Sequence, residues 1–224
     1  MEYQTLVQTI ALSAGVAWAS GINLYAVVAI LGLGGSFGYI TLPPTLAIVQ
    51  DPLVITAATF MFVVQFFMDK IPGVDSGWDA LHTFVRIPAG ALLAAGAVGN
   101  VDPALVVTAG LLGGTITAAT HTTKAGTRAL INTSPEPFSN WTASILEDVA
   151  VFGGLWAALT HPMVFLLLFL AFVLLLCFLL PRLFRGIRAV ARRIGGWLGM
   201  TPGAAGEAPA HGAPGGGPLP NTAH

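Results

Sequence analysis

The chain has 224 residues, 55% of them hydrophobic and only 8% charged, with a formal net charge of −1. A composition this apolar points to the membrane and excludes a nucleic-acid partner, which needs a basic surface. The single cysteine, Cys177, excludes an intrachain disulfide and leaves nothing for a thiolate metal site.

The N-terminal MEYQTLVQTIALSAG carries Glu2 and no cation, so no cleaved secretory signal is expected. Residues 5–34 form a first apolar stretch, long for one span, with breaks predicted near Gly15 and at Ser20-Gly21-Ile22-Asn23. Asn23 stands in the second break. Exposed helix ends there would bind ions, and the competing reading is a hydrogen bond between helices. Residues 35–51 read as a Gly/Pro-bearing loop, in part re-entrant. Residues 52–71 make a second span, closing at Asp69-Lys70-Ile71-Pro72. The polar piece GVDSGWDALHTFVR and the apolar residues 87–99, too short to cross alone, join into one tilted or broken helix. Asp75, Asp79 and His82 fall at i, i+4 and i+7, flanked by Asp69 and Arg86. Two carboxylates and an imidazole on one face suit a divalent metal. The alternatives are a structural or proton-linked role with Arg86 and Lys124, or a solvated loop. No other cofactor is expected.

Residues 103–120 form a weaker, Gly- and Thr-rich span that runs into HTTKAGTRALINTSPEPFSNWTASILED, residues 121–148. Here His121, Lys124, Arg128, Glu136, Glu147 and Asp148 fall together between apolar stretches. Each ionisable group at bilayer depth costs at least about 3 kcal/mol, so such groups pair, face water or act on a substrate. His121, Lys124 and Arg128 share one helix face, and like charges at that spacing require an anion close by. In one reading Lys124 and Arg128 hold the phosphate or carboxylate of a substrate, with Thr122 and Thr123 adding hydroxyls. In the other they belong to a structural network with Glu136, Glu147 or Asp148. Ser144-Ile145-Leu146-Glu147 fits a capping box, which makes Glu147 and Asp148 helix-start acids, proton carriers or partners of the cations. Ser134-Pro135-Glu136-Pro137 reads as a rigid non-helical turn. Two glycosylation sequons, at Asn132 and Asn140, read as chance patterns. Residues 145–160 are mostly apolar, and 162–181 carry no charge between two prolines, the length of a full span.

Beyond Pro181, Arg182, Arg185, Arg188, Arg192 and Arg193 recur at helical spacing among apolar residues. Residues 182–199 thus read as a basic amphipathic helix on the membrane surface, attracted to anionic lipid head groups, with a partner-binding helix as the alternative. Five arginines beside a span put this end in the cytoplasm. Residues 200–224, nearly all Gly, Pro and Ala with a few polar residues, read as a disordered tail. Residues 1–181 form the transmembrane domain. A repeat with halves 5–100 and 103–181 is suggested because 46–72 aligns with 155–181 when a one-residue gap is allowed, placing Asp51-Pro52 on His161-Pro162 and Pro72 on Pro181.

The segments SGINLYAVVAILGL, DKIPGVDSGWDALHTFVR, HTTKAGTRALINTSPEPFSN and SILED resemble a family of bacterial integral membrane proteins classed as a domain of unknown function. The resemblance covers roughly residues 5–181 and implies a membrane domain without naming a substrate. The sequence therefore leads to an all-α polytopic protein of the bacterial inner membrane, multi-pass, with about six membrane segments, some broken or re-entrant. Its expected function is that of a small transporter or lipid-handling translocase for an anionic substrate, with proton coupling. Asp69, Asp75, Asp79, His82, Arg86, Glu136, Glu147 and Asp148 would balance charge or carry protons. An intramembrane enzyme acting on a lipid phosphate, with His121 as base, and a structural assembly protein are the alternatives. A homo-oligomer remains open.

Overall fold

A computed structural model describes residues 2–133 and 137–197. Glu136, the turn preceding Pro137 and the tail from residue 200 lie outside the described residues. The described chain is helical, with six α-helices: α1 Glu2–Ser36, α2 Pro52–Met68, α3 Val74–Ala97, α4 Pro103–Ile131, α5 Pro137–Thr160 and α6 Pro162–Trp197. A 3-10 segment, Pro44–Gln50, precedes α2 and is bent 65° from it. Five helices are long and apolar enough to cross a membrane, or six with that bent pair as one span.

Local chemistry sets the boundaries. α2 and α4 start with the same device: Asp51 and Asp102 accept from the amides of Leu53 and Ala104, each at 2.8 Å, ahead of a first-turn proline. The α2–α3 turn closes at Gly73, whose φ of +84° suits a residue without Cβ. The polar piece and the apolar run 87–99 do join, as α3. The expected capping box at Ser144 is overturned, because α5 starts earlier, at Pro137, and Ser144 lies buried inside it. α6 stays helical through Pro181, which can leave only the Cys177 carbonyl without its amide.

α1 contacts α2, α3, α4 and α5, and it is not one rod. Asn23 alone leaves helical geometry, at φ −148° and ψ 89°. The limb 2–22 runs past α3 and α4: Ser13 Oγ donates to Ala94 O and Thr117 Oγ1 to Ala17 O. The limb 24–36 turns back, with Tyr25 against His82 and Gly32 against Val49. Leu12 and Ile30 line one cavity of about 870 Å³. In a straight helix they would stand about 27 Å apart. α1 is thus a hairpin with its apex at Asn23. The break expected near Gly15 is absent; there α1 packs on Ala158, so closely that a Cβ would come within 2.8 Å of it.

Small residues permit these contacts. A Cβ on Gly21 would sit 2.7 Å from Thr117 O and from Thr120 Cβ, so only glycine lets α1 and α4 meet. The outside is apolar, with Leu53 77% and Leu111 70% exposed, whereas Arg86, Arg128, Asp75 and Asp79 are fully buried. That inversion of a water-soluble protein marks a membrane domain built round a polar interior.

The chain divides into two compact units, Met1–Ile187 and Arg188–His224. Within the first, Arg182 donates to Phe178 O and lies over the Phe178 ring, and Arg185 donates to Pro181 O. In the second, Arg188 and Arg192 are exposed, and the helix that also carries Arg193 continues to Trp197.

Candidate functional site

The apex of the α1 hairpin meets the C-terminal part of α4. His121, Lys124 and Arg128 do share a face, and all three are buried. They are met by acids from three directions: Asp69 just after α2, Asp75 and Asp79 on α3, and Glu147 and Asp148 on α5.

Arg128 is the most fully engaged. Its Nε and Nη2 grip Glu147 at 3.0 and 2.7 Å, a two-point carboxylate contact. Its Nη1 donates to Asp69 O and Asn140 O, each at 3.0 Å, and to the Asn140 side-chain oxygen. Asp75 Oδ2 lies 3.8 Å away. Lys124 Nζ sits 2.8 Å from Asp69 Oδ2, 3.4 Å from Glu147 Oε2 and 3.8 Å from Asp79 Oδ1, and donates to Ile22 O at 3.2 Å. That carbonyl belongs to the end of the first α1 limb, so Lys124 caps the negative end of a half-helix. Asn23 starts the second limb: its Oδ1 accepts from Ala26 N at 3.1 Å and its Nδ2 donates to Asp148 Oδ1 at 3.3 Å. The break expected at Asn23 is present, and of its two readings the hydrogen bond between helices is formed.

Arg86 donates to Asp79 at 2.8 Å and to His121 Nδ1 at 3.2 Å. An arginine cannot accept, so Nδ1 accepts and Nε2 carries the proton, 2.8 Å from Thr83 Oγ1. Both ring nitrogens of His121 are engaged. Asp75 Oδ1 accepts from Gly73 N, Ser76 N and Asn132 Nδ2, tying the α2–α3 turn to the end of α4. Burial alone would raise the Asp69 carboxyl. The charge and hydrogen bond of Lys124, with Arg86 and Arg128 beyond, instead hold it below the usual carboxylate value. Burial lowers the Lys70 ammonium against the opposing pull of Asp148 and Asp69.

Several expected residues stay apart from this network. His82 stacks on Trp78, its Nδ1 on Trp78 O, and no three His, Cys, Asp or Glu side chains among the described residues form a metal-binding group. Thr122 and Thr123 are half-buried beside the cationic face, and Thr123 donates to Ala119 O of its own helix. Conversely, Asn140, Thr83, Asn132 and Lys70 were not anticipated as site residues. Asn140 is fully buried on Arg128, although its sequence context reads as a chance sequon. Lys70 donates to Phe66 O and to Ser144 Oγ.

The fold and this site define an all-α polytopic membrane protein with a buried ion network at a broken helix. The family model for the domain of unknown function DUF4126 matches residues 10–182, and the chain belongs to that family. No curated protein and no solved structure matches the chain.

Proposed function

We propose that the protein is a small transporter, or lipid-handling translocase, of the bacterial inner membrane, which moves an anionic cargo together with protons. The observation that carries this reading is the interrupted α1, with Lys124 on the end of one limb and Asp148 on the asparagine that starts the other. Helix breaks inside membrane domains serve as substrate and ion sites in transporters, because they present backbone charge where lipid would forbid it. Within the network Lys70, Arg86, Lys124 and Arg128 meet five carboxylates, Asp69, Asp75, Asp79, Glu147 and Asp148. A surplus carboxylate in a low dielectric is a place to take up a proton. The cytoplasmic assignment of the C-terminal end, and its contact with anionic lipid head groups, rest on Lys70, Arg182 and Arg185. No lysine or arginine occurs in residues 36–51 or 98–102, the connections at the opposite end of the bundle.

The test is flux in proteoliposomes holding a trapped pH dye. A panel of small anions and single-chain lipids is offered to wild type, Lys124→Ala and Glu147→Gln at equal protein amounts. At least one cargo should drive proton movement through wild type alone. If the variants are merely degraded, or match wild type with every cargo, the network is structural and the assembly-protein reading replaces this one. The enzyme reading draws less support, since His121 has no free nitrogen with which to act as base or nucleophile.

A further inference from the structure

Of the network acids that pair with a cation within 4 Å, Glu147 differs from the rest. Its side chain is 19% exposed, whereas those of Asp69, Asp75 and Asp79 are 4% exposed or less. It touches two cations at once, Arg128 side-on through both oxygens and Lys124 through Oε2 at 3.4 Å. The other oxygens on those cations come from backbone or from deeply buried side chains and cannot leave without dismantling the helix contacts. Among these acids Glu147 alone, on α5, has a side chain that reaches the surface.

We propose that Glu147 is an exchangeable internal ligand: once protonated it releases Arg128 and Lys124, and the carboxylate group of a small organic acid takes its place. This rests on the transport reading above and narrows the anionic cargo to a carboxylate. The reason is charge together with shape. The vacated place is a planar two-oxygen fork across Nε and Nη2 of a guanidinium that Asn140 and the Asp69 carbonyl hold rigid. A carboxylate reproduces both contacts with the single negative charge that Glu147 carried, whereas a phosphate, which can also bridge such a fork, brings further oxygens and a second charge into a network already holding Asp69, Asp75 and Asp79. The charge also balances. The proton goes to Glu147 and one negative charge replaces another, so the network keeps its charge and one carboxylate moves with one proton. The groups facing Glu147 are Arg128 and Lys124 from α4, with Asp69, Asp75 and Asp79 on the far sides of those cations and Asp148 beside it on α5.

The experiment is thermal unfolding of the purified full chain in detergent, at constant ionic strength, with sodium formate or acetate set against phosphate, sulfate and chloride. Glu147→Ala should unfold below wild type and regain several degrees, saturably, with the carboxylates alone. Glu147→Gln, which offers the two cations no charge, should be stabilised by the same carboxylates near neutral pH, where wild type is stabilised less. An equal effect of phosphate, or no carboxylate-specific shift in Glu147→Gln, overturns the proposal even if Glu147→Ala does not fold. A carboxylate that binds in this way but is not carried in proteoliposomes leaves the site standing and removes the transport reading instead.

Discussion

α4 and α6 both start at a proline and carry basic residues three or four positions apart near their C-terminal ends, yet they use them in opposite ways. On α4, Lys124 and Arg128 face inward and each meets several oxygens from other helices. On α6, Arg182 and Arg185 face outward and donate to carbonyls one turn back in their own helix. Either spacing, four positions on α4 and three on α6, puts the two cations on one helix face. The difference comes from what crosses in front: α4 lies under the α1 apex, at Gly21, with α3 and α5 beside it. Beside the α6 arginines, by contrast, Phe178, Pro181 and Phe184 are exposed. A basic repeat on a membrane helix becomes a site only where partner acids are brought to it.

The comparison breaks first at Arg128. Replacing it with Ala leaves Glu147 and the Asn140 oxygens without their donor inside the protein, and removing one partner of a buried pair costs about 3–5 kcal/mol. Arg128→Ala should sharply lower the yield of folded protein and the unfolding temperature in detergent. An Arg128→Ala protein as stable as wild type would mean that the network is wetter and looser than its burial shows. Next in size is Gly21→Val. Its methyl groups would meet Thr117 O and Thr120 and push α1 off α4, for a loss of about 1–3 kcal/mol. That variant should also weaken the Lys124 contact to Ile22 O, read as lost protection of the α1 apex in hydrogen exchange.

Much of this was legible in the sequence. The charged segment 121–148, the shared face of His121, Lys124 and Arg128, and the break at Asn23 follow from helical period and from the cost of ions in hydrocarbon. The starts of α2 and α4 follow from Asp-Pro pairs, whereas α2 ends earlier than the span read over 52–71 and α4 runs past residue 120 to Ile131. What escaped was long-range. Nothing local distinguishes Asn140, buried on an arginine, from a sequon on a loop. Ser144 to Glu147 satisfies the capping pattern, and only the helical turns laid down from Pro137 make it interior. The stripe of Asp75, Asp79 and His82 comes apart for a related reason: it runs about 10 Å along the helix axis, so Asp75 and Asp79 meet α4 while His82 reaches Trp78 and Tyr25.

Asp69 gives a smaller effect with a defined sign. Its carboxyl is held below the ordinary value of 3.8 in the folded protein. The stabilisation from that shift is therefore complete above the unfolded value and is lost as pH falls through the depressed folded one. Asp69→Asn should unfold earlier than wild type near neutrality. The gap between them should close in strongly acidic buffer, below the range where ordinary carboxylates titrate. A gap independent of pH would assign the loss to altered packing with Gln65, which donates to Asp69 Oδ2, rather than to charge.

The smallest change belongs to the outward arginines, and it should appear in lipid contacts rather than in stability. Arg182 and Arg185 bind only backbone within their own helix and, for Arg182, one aromatic face, so the double variant Arg182→Gln/Arg185→Gln should alter unfolding by less than about 0.5 kcal/mol. Each basic residue near a membrane surface attracts anionic lipid with about 1 kcal/mol. Association with a spin-labelled anionic lipid, measured against a zwitterionic one, should therefore fall several-fold while the unfolding curve stays in place. The reverse pattern, unchanged lipid preference with a lowered unfolding temperature, would show these arginines bracing the helix end as those of α4 do, and the contrast between the two helices would dissolve.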